Sequence, residues 1–152
     1  MKIIAVIGDI GSGKSYISKN FGFPVFNADQ EVSKLYKKDK SIFKKFKKIL
    51  SKYIKTFPIN KNEISKSILA NHSNLNKIIK IVHPAIRKKL NIFLKKNKQK
   101  KIVVLDIPLL LENKINKKNY TLVFISSNKS EALKRLKKRK NFLKPSAKKK
   151  LK

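Results

Sequence analysis

The strongest chemical signal in the chain is one short run, Gly8-Asp9-Ile10-Gly11-Ser12-Gly13-Lys14-Ser15, which fits G-x-x-x-x-G-K-[ST] at every fixed position. Gly8 and Gly13 permit backbone angles and close approaches that a side chain would block. The main-chain N–H groups can then turn inward and cradle phosphate oxygens. Lys14 supplies an ammonium to the β- and γ-phosphates of a nucleoside triphosphate, and the Ser15 hydroxyl supplies an oxygen ligand to Mg2+. ATP and Mg2+ are therefore the expected ligands of the segment from Gly8 to Tyr16. Asp9 sits inside the loop, where negative charge repels phosphate, so its side chain is expected to point away. The competing readings are a chance glycine-rich turn and a nucleotide site without catalysis.

The chain holds 40 basic residues and only 8 acidic ones, so an acid beside a phosphate loop is informative. Asp29 follows the apolar run Val25-Phe26-Asn27. In an open parallel sheet ligands gather at the carboxyl ends of the strands, which would put Asp29 near the loop. There it can take or orient the proton of an attacking hydroxyl, or it can cap the following helix. Asp106 ends the run Ile102-Val103-Val104-Leu105 and is expected to hold Mg2+ directly or through water. The alternative is a turn-forming Asp ahead of Pro108. Glu112, after Pro108-Leu109-Leu110-Leu111, faces a substrate cleft or caps the next segment.

Only three of the basic residues are arginines: Arg87, Arg135 and Arg139. Arginine offers a planar fork of donors that lysine lacks. Arg135 and Arg139 lie four apart and share a helix face. As a mobile lid they would clamp ATP phosphates and neutralise transition-state charge; alternatively they are ordinary surface residues. Arg87 follows His83 by one helical turn and can meet an anionic group of an acceptor. His83 itself reads as a packed or capping residue before a catalytic one, and His72 as a surface turn residue.

These residues need a scaffold, and the hydrophobic pattern supplies one. Lys2 to Ile7 reads as a buried strand entering the loop at Gly8, and Lys14 to about Asn20 as a helix. Gly22-Phe23-Pro24 breaks it before a short strand at Val25–Asn27. Residues 29–98 read as mostly helical. Ile42, Phe46, Ile49, Leu50, Tyr53 and Ile54 form one stripe, and Pro58 ends that region. Asn60 with Glu63 gives a capping pattern. Ser73 is expected to cap a third helix carrying Leu75, Ile78, Ile79, Val82, Ile86, Leu90 and Leu94, with a kink or break near Val82-His83 because of Pro84. Strands return at Lys101–Asp106 and Tyr120–Ile125. Asn128 and Glu131 open a last helix bearing Leu133, Arg135, Leu136 and Arg139. This is an α/β fold: a parallel sheet flanked by helices, with an inserted helical subdomain.

Composition narrows the classes further. With 152 residues and 41% hydrophobic content the chain suits one domain with a real core. It has no cysteine, which removes disulfides and thiolate metal sites and points to a reducing, cytoplasmic setting. No apolar run reaches membrane-spanning length. The net charge of +32 invites a nucleic-acid reading. Its dominance by lysine, alongside abundant Asn and Ile, instead matches an AT-rich codon bias, so no specific nucleic-acid partner and no membrane are expected.

The order of the motifs resembles the dephospho-CoA kinase family, a group of P-loop kinases. The resemblance rests on Ile7 to Ser15, Phe26-Asn27-Ala28-Asp29, Val82-His83-Pro84-Ala85-Ile86, Val104 to Glu112, and Arg135-Leu136-Lys137-Lys138-Arg139, and it covers nearly the whole chain. It implies one kinase domain over 1–152: a core at 1–35 and 100–130, an inserted CoA-side subdomain at about 36–98 and a lid at about 130–145. It implies transfer of the γ-phosphoryl group of ATP to the ribose 3′-hydroxyl of dephospho-CoA, with Asp29 as catalytic base assisted by Lys14 and Arg139. It also implies that His83, Arg87, Pro108, Leu109 and Glu112 serve the acceptor. The sequence departs from the family at Asp9, Tyr16 and Ala132, where glycine, threonine and glutamine are usual. The family continues past the lid into a fifth strand and a closing helix, so a C-terminally truncated chain with an unpaired sheet edge is expected. Rival readings are a P-loop kinase for a nucleotide, nucleoside or shikimate-like acceptor, a basic nucleic-acid-binding NTPase, and an inactive remnant.

Overall fold

Strand β1 (Lys2–Gly8) opens the chain in the computed structural model, which describes residues 1–107 and 120–138. It runs into the glycine-rich loop and α1 (Lys14–Asn20). Next come β2 (Val25–Asn27), α2 (Ala28–Lys38), α3 (Lys40–Ile49), α4 (Lys61–Ala70) and α5 (Ser73–Lys96). β3 (Ile102–Asp106), β4 (Tyr120–Ile125) and α6 (Lys129–Lys137) follow. The described strands form one parallel sheet in the order β2-β3-β1-β4, as an α/β fold requires.

Chain contacts divide into two compact units, Met1–Val25 with Lys101–Lys152, and Phe26–Lys100. In the first, β1 lies between β3 and β4, with Val6 opposite Asp106 and Gly8 opposite Ile125. Ala5, Val6, Val103, Val104 and Leu105 are all essentially inaccessible to solvent. A continuous apolar run covered on both faces is what a central parallel strand demands. β4 is the outer strand of the described sheet, and it leaves Leu122 45% and Phe124 61% exposed.

The second unit is helical apart from the last residues of β2. Asn74, Ile78, Val82, Ile86 and Leu90 recur every fourth residue along α5 and are buried. Leu35, Tyr36, Ile42, Phe46, Leu50 and Ile54 are also buried in this unit, where α5 lies against α2, α3 and α4. Ring contacts Phe26–Phe93 at 5.5 Å and Tyr36–Phe46 at 5.9 Å fill the remaining space. No helix among the described residues is long and apolar enough to cross a membrane.

Three local expectations are corrected here. The break expected near Val82-His83 is absent, since α5 continues through Pro84. Pro84 and Lys80 are both exposed, so the Lys80 carbonyl that loses its helical partner can be hydrated instead of stranded. Ser73 does not cap α5: it is the first helical residue, and its N–H donates to the Asn71 side chain at 2.8 Å. The stripe of α3 ends earlier than its periodicity suggests. The helix stops at Ile49, which is 40% exposed, while Leu50 and Ile54 are buried beyond its end.

Candidate active site

The glycine-rich loop is built around three glycines at positive φ: Gly8 at 142°, Gly11 at 86° and Gly13 at 94°. A Cβ on Gly8 would strike the Ile125 carbonyl of β4, and one on Gly11 would meet the Ala132 carbonyl of α6 at 2.9 Å. The loop is therefore pressed against β4 and α6, and glycine is needed at both contacts. Within it the Ser12 N–H donates to the Asp9 carbonyl at 3.2 Å, and Tyr16 and Ile17 donate to Gly13 at 3.0 and 3.1 Å.

Two cations satisfy carbonyls of the same loop. Lys14 Nζ donates to the Gly8 carbonyl at 2.9 Å and to the Asp9 carbonyl at 2.6 Å. Arg135, from α6, donates through one guanidinium nitrogen to Gly11 at 3.3 Å and to Ser12 at 3.4 Å. Carbonyl oxygens would repel a phosphate, and here those of Gly8, Asp9, Gly11, Ser12 and Gly13 are all engaged by donors. A backbone arranged in this way presents N–H groups to an anion. Asp9 and Ile10 are exposed, as are Ser15 and Tyr16. Ser12 is buried, and its hydroxyl has no hydrogen-bond partner among the described residues.

Asp106 closes β3 and is 2% exposed. Its strand lies beside β1, which delivers the loop, so the carboxylate and the loop belong to neighbouring strand ends of one unit. Ser15 stands in the first turn of α1. Both offer hard oxygen donors, the kind a Mg2+ ion takes in small number while completing its shell with waters and substrate phosphates. Among the described residues there is no cluster of three or more His, Cys, Asp or Glu able to form an all-protein metal cage.

In the helical unit, Asp29 is exposed in the first turn of α2. It is not the cap of that helix. Asn27 takes that place, its side chain accepting the Gln30 N–H at 2.8 Å, which leaves the capping reading of Asp29 without support. His83 is partly buried on α5, with Arg87 one turn away and exposed. Burial, and then the positive charge of Arg87, hold the His83 imidazole below its ordinary pKa of 6.5. The structure thus brings Gly8–Tyr16, Asp106 and Arg135 together in one unit, and Asp29, His83 and Arg87 are carried by the other. Pro108, Leu109, Glu112 and Arg139 lie outside the described residues.

Sequence reasoning missed how α6 seats on the loop. Ala132 and Leu136 are the buried pair of that helix, whereas the apolar pattern points to Leu133 and Leu136. The unused signal is Gly11, a third glycine whose missing side chain marks a close neighbour.

Comparisons with known proteins identify the family. The family model described as Dephospho-CoA kinase matches residues 2–152. A dephospho-CoA kinase of Wolbachia pipientis wMel is 36% identical over 142 residues, which span 90% of this chain and 73% of that protein. One from Bartonella quintana is 37% identical over 139 residues, 84% of this chain and 67% of that protein. One from Bacillus cereus is 29% identical over an alignment of 154 positions that covers 95% of this chain and 76% of that protein. The crystal structure of TT1252 from Thermus thermophilus superposes with a TM-score of 0.77 at 19% identity, covering 99% of this chain and 78% of that one; at that identity it supports the fold. With a family match across essentially its full length, the chain belongs to the dephospho-CoA kinase family, whose members are ATP-dependent kinases.

Proposed function

We propose a division of labour for the phosphoryl transfer from ATP to dephospho-CoA. The observation that carries it is the loop from Gly8 to Ser15, with its carbonyls turned onto donors and its glycines in the conformations a phosphate nest needs. The loop N–H groups bind the β-phosphate, and Lys14 leaves its carbonyl partners to reach the β- and γ-phosphates. Asp29 accepts the proton of the ribose 3′-hydroxyl of the acceptor. The hydroxyl oxygen forms a bond to the γ-phosphorus, the bond from that phosphorus to the β,γ-bridging oxygen breaks, and ADP departs with the electron pair. Arg139 neutralises charge on the transferring group.

Ser15 and Asp106 would hold Mg2+, which when bound draws charge off the β- and γ-phosphate oxygens. The helical unit, with His83 and Arg87, takes the CoA side of the acceptor, and Pro108, Leu109 and Glu112 complete it. The cysteine-free composition suits a reducing, cytoplasmic setting.

The test is ADP release with dephospho-CoA, nucleosides and shikimate offered in turn to the purified chain with ATP and Mg2+. Turnover should require dephospho-CoA, and the product should carry a new 3′-phosphate. Asp29→Asn should lower kcat by about 10²–10⁴-fold with the KM for ATP little changed. Full activity in that variant would remove Asp29 from the chemistry, and turnover with another acceptor alone would overturn the substrate assignment.

A further inference from the structure

The Arg135 contact does something the phosphate-clamp reading does not anticipate. Its guanidinium is directed at the protein backbone, and the two oxygens it reaches belong to consecutive peptide groups, those joining Gly11 to Ser12 and Ser12 to Gly13. In a trans peptide group the C=O and N–H point in opposite directions. A cation that fixes both carbonyls therefore fixes where the Ser12 and Gly13 amides aim. The first of these amides closes the turn onto Asp9. The second, that of Gly13, must then point away from Arg135, toward the side on which the nest would receive an anion.

The surroundings fit this role. Gly11 lacks the Cβ that would collide with the Ala132 carbonyl and press on Leu136 Cγ at 3.1 Å. Ala132 and Leu136 are 5% exposed or less. They seal α6 against the loop on either side of Arg135 in the helical repeat. A would-be Cβ on Gly13 lies 3.6 Å from the same guanidinium nitrogen. Helix α6 thus backs the loop with an apolar seat and one forked donor.

We infer that Arg135 is a positioning residue: it sets the peptide planes of the phosphate loop from behind through the Gly11 and Ser12 carbonyls, and it acts on the nucleotide through that loop. The inference rests on the reading of the loop as a nucleotide-phosphate site, and it extends that reading to the helix that follows β4.

Calorimetry with ADP, ATP and inorganic pyrophosphate separates the roles open to Arg135. Loss of a charge-assisted donor pair should weaken all three ligands in Arg135→Ala by the same factor, about tenfold. The KM for ATP should rise while that for dephospho-CoA stays put, and millimolar guanidinium should restore part of the loss. Arg135→Lys keeps a donor and should lie between the two, which preserves the test if the alanine variant is insoluble. Loss confined to ATP would assign Arg135 to the γ-phosphate, and loss confined to ADP and ATP, with pyrophosphate unaffected, would assign it to the nucleoside. Either result overturns the inference, as does unchanged binding of all three, or a fall in thermal midpoint with no change in affinity. Wild-type protein that binds neither pyrophosphate nor ADP would instead remove the phosphate site itself, and this inference with it.

Discussion

Gly11 and Ala132 approach so closely that a methyl group on Gly11 would lie 2.9 Å from the Ala132 carbonyl oxygen. The backbone of Gly11 is also left-handed, at φ 86°. Substitution there combines two penalties, backbone strain and an unrelieved clash with main chain. Gly11→Ala is expected to cost about 1–3 kcal/mol of stability from the backbone conformation. It should also push α6 off the loop, so ADP affinity should fall along with the thermal midpoint. Differential scanning fluorimetry with and without ADP reads both effects. Gly22 is the control: it is also left-handed, at φ 72°, but a methyl group placed there would meet nothing within 4 Å. Gly22→Ala should show the strain alone, with ADP affinity kept.

Lys14 is held by carbonyls, at 2.9 Å from Gly8 and 2.6 Å from Asp9. Triphosphate oxygens are stronger partners for an ammonium than these neutral carbonyls. Lys14→Met should therefore fold normally and retain dephospho-CoA binding. Its kcat should fall by about 10²–10³-fold, the usual consequence of losing one preorganised donor to a transition state. Steady-state kinetics with each substrate varied in turn makes the check. A variant with unchanged kcat would show that the ammonium has only a structural task.

The same contacts explain what can be read from sequence. The loop, its strand and its helix are legible because Gly8, Gly13, Lys14 and Ser15 are constrained by chemistry and Lys2–Ile7 by burial on both faces. The helical unit is legible in outline from lysine-backed apolar stripes. Its details are not. Pro84 does not interrupt α5, because its cost depends on whether the Lys80 carbonyl meets water, and periodicity carries no information on that. The cap of α2 goes to Asn27 because a capping side chain must stand one residue before the first helical turn, and pattern alone does not fix the start of that turn. Arg135 stands out as functional from its rarity. Its direction toward backbone is set by the tertiary packing of α6 on Gly11, which rarity does not reveal.

Asp39 joins two helices: its backbone N–H donates to the Leu35 carbonyl of α2 at 2.9 Å, and its carboxylate serves α3. It follows α2 and caps α3, accepting from the Ser41 N–H at 2.9 Å, the Ser41 hydroxyl at 2.8 Å and the Ile42 N–H at 3.1 Å. The Ser41 hydroxyl first, then the Ile42 N–H, hold its pKa below the ordinary value of 3.8. A depressed folded value means that its contribution is fully present above the ordinary value and is lost as pH falls through the folded one. Asp39→Ala should cost about 0.5–2 kcal/mol at neutral pH. Asp39→Asn should keep most of the cap and lose the acid-dependent part. Urea midpoints at pH 7 and pH 3 for the three proteins test this. Equal acid sensitivity in wild type and Asp39→Asn would show that other carboxylates govern the acid limb.

His83 links stability to pH closer to neutrality. Burial and then the Arg87 charge lower its pKa from 6.5 in the fold. The unfolded chain therefore takes up a proton at a higher pH than the folded one does. Stability is fully present above 6.5, declines as pH falls below it, and levels off once the folded imidazole also protonates. Arg87→Gln removes the like charge, so the folded pKa should move back toward 6.5 and the slope of stability against pH should shrink. Because burial is the larger cause, part of the depression should remain. His83→Gln should abolish this component of the slope altogether. Imidazole titration by NMR measures the first effect, and thermal midpoints between pH 5 and pH 8 measure the second. An imidazole that titrates at or above 6.5 in the wild-type protein would mean that neither burial nor Arg87 governs it, and the expected slope would then be absent.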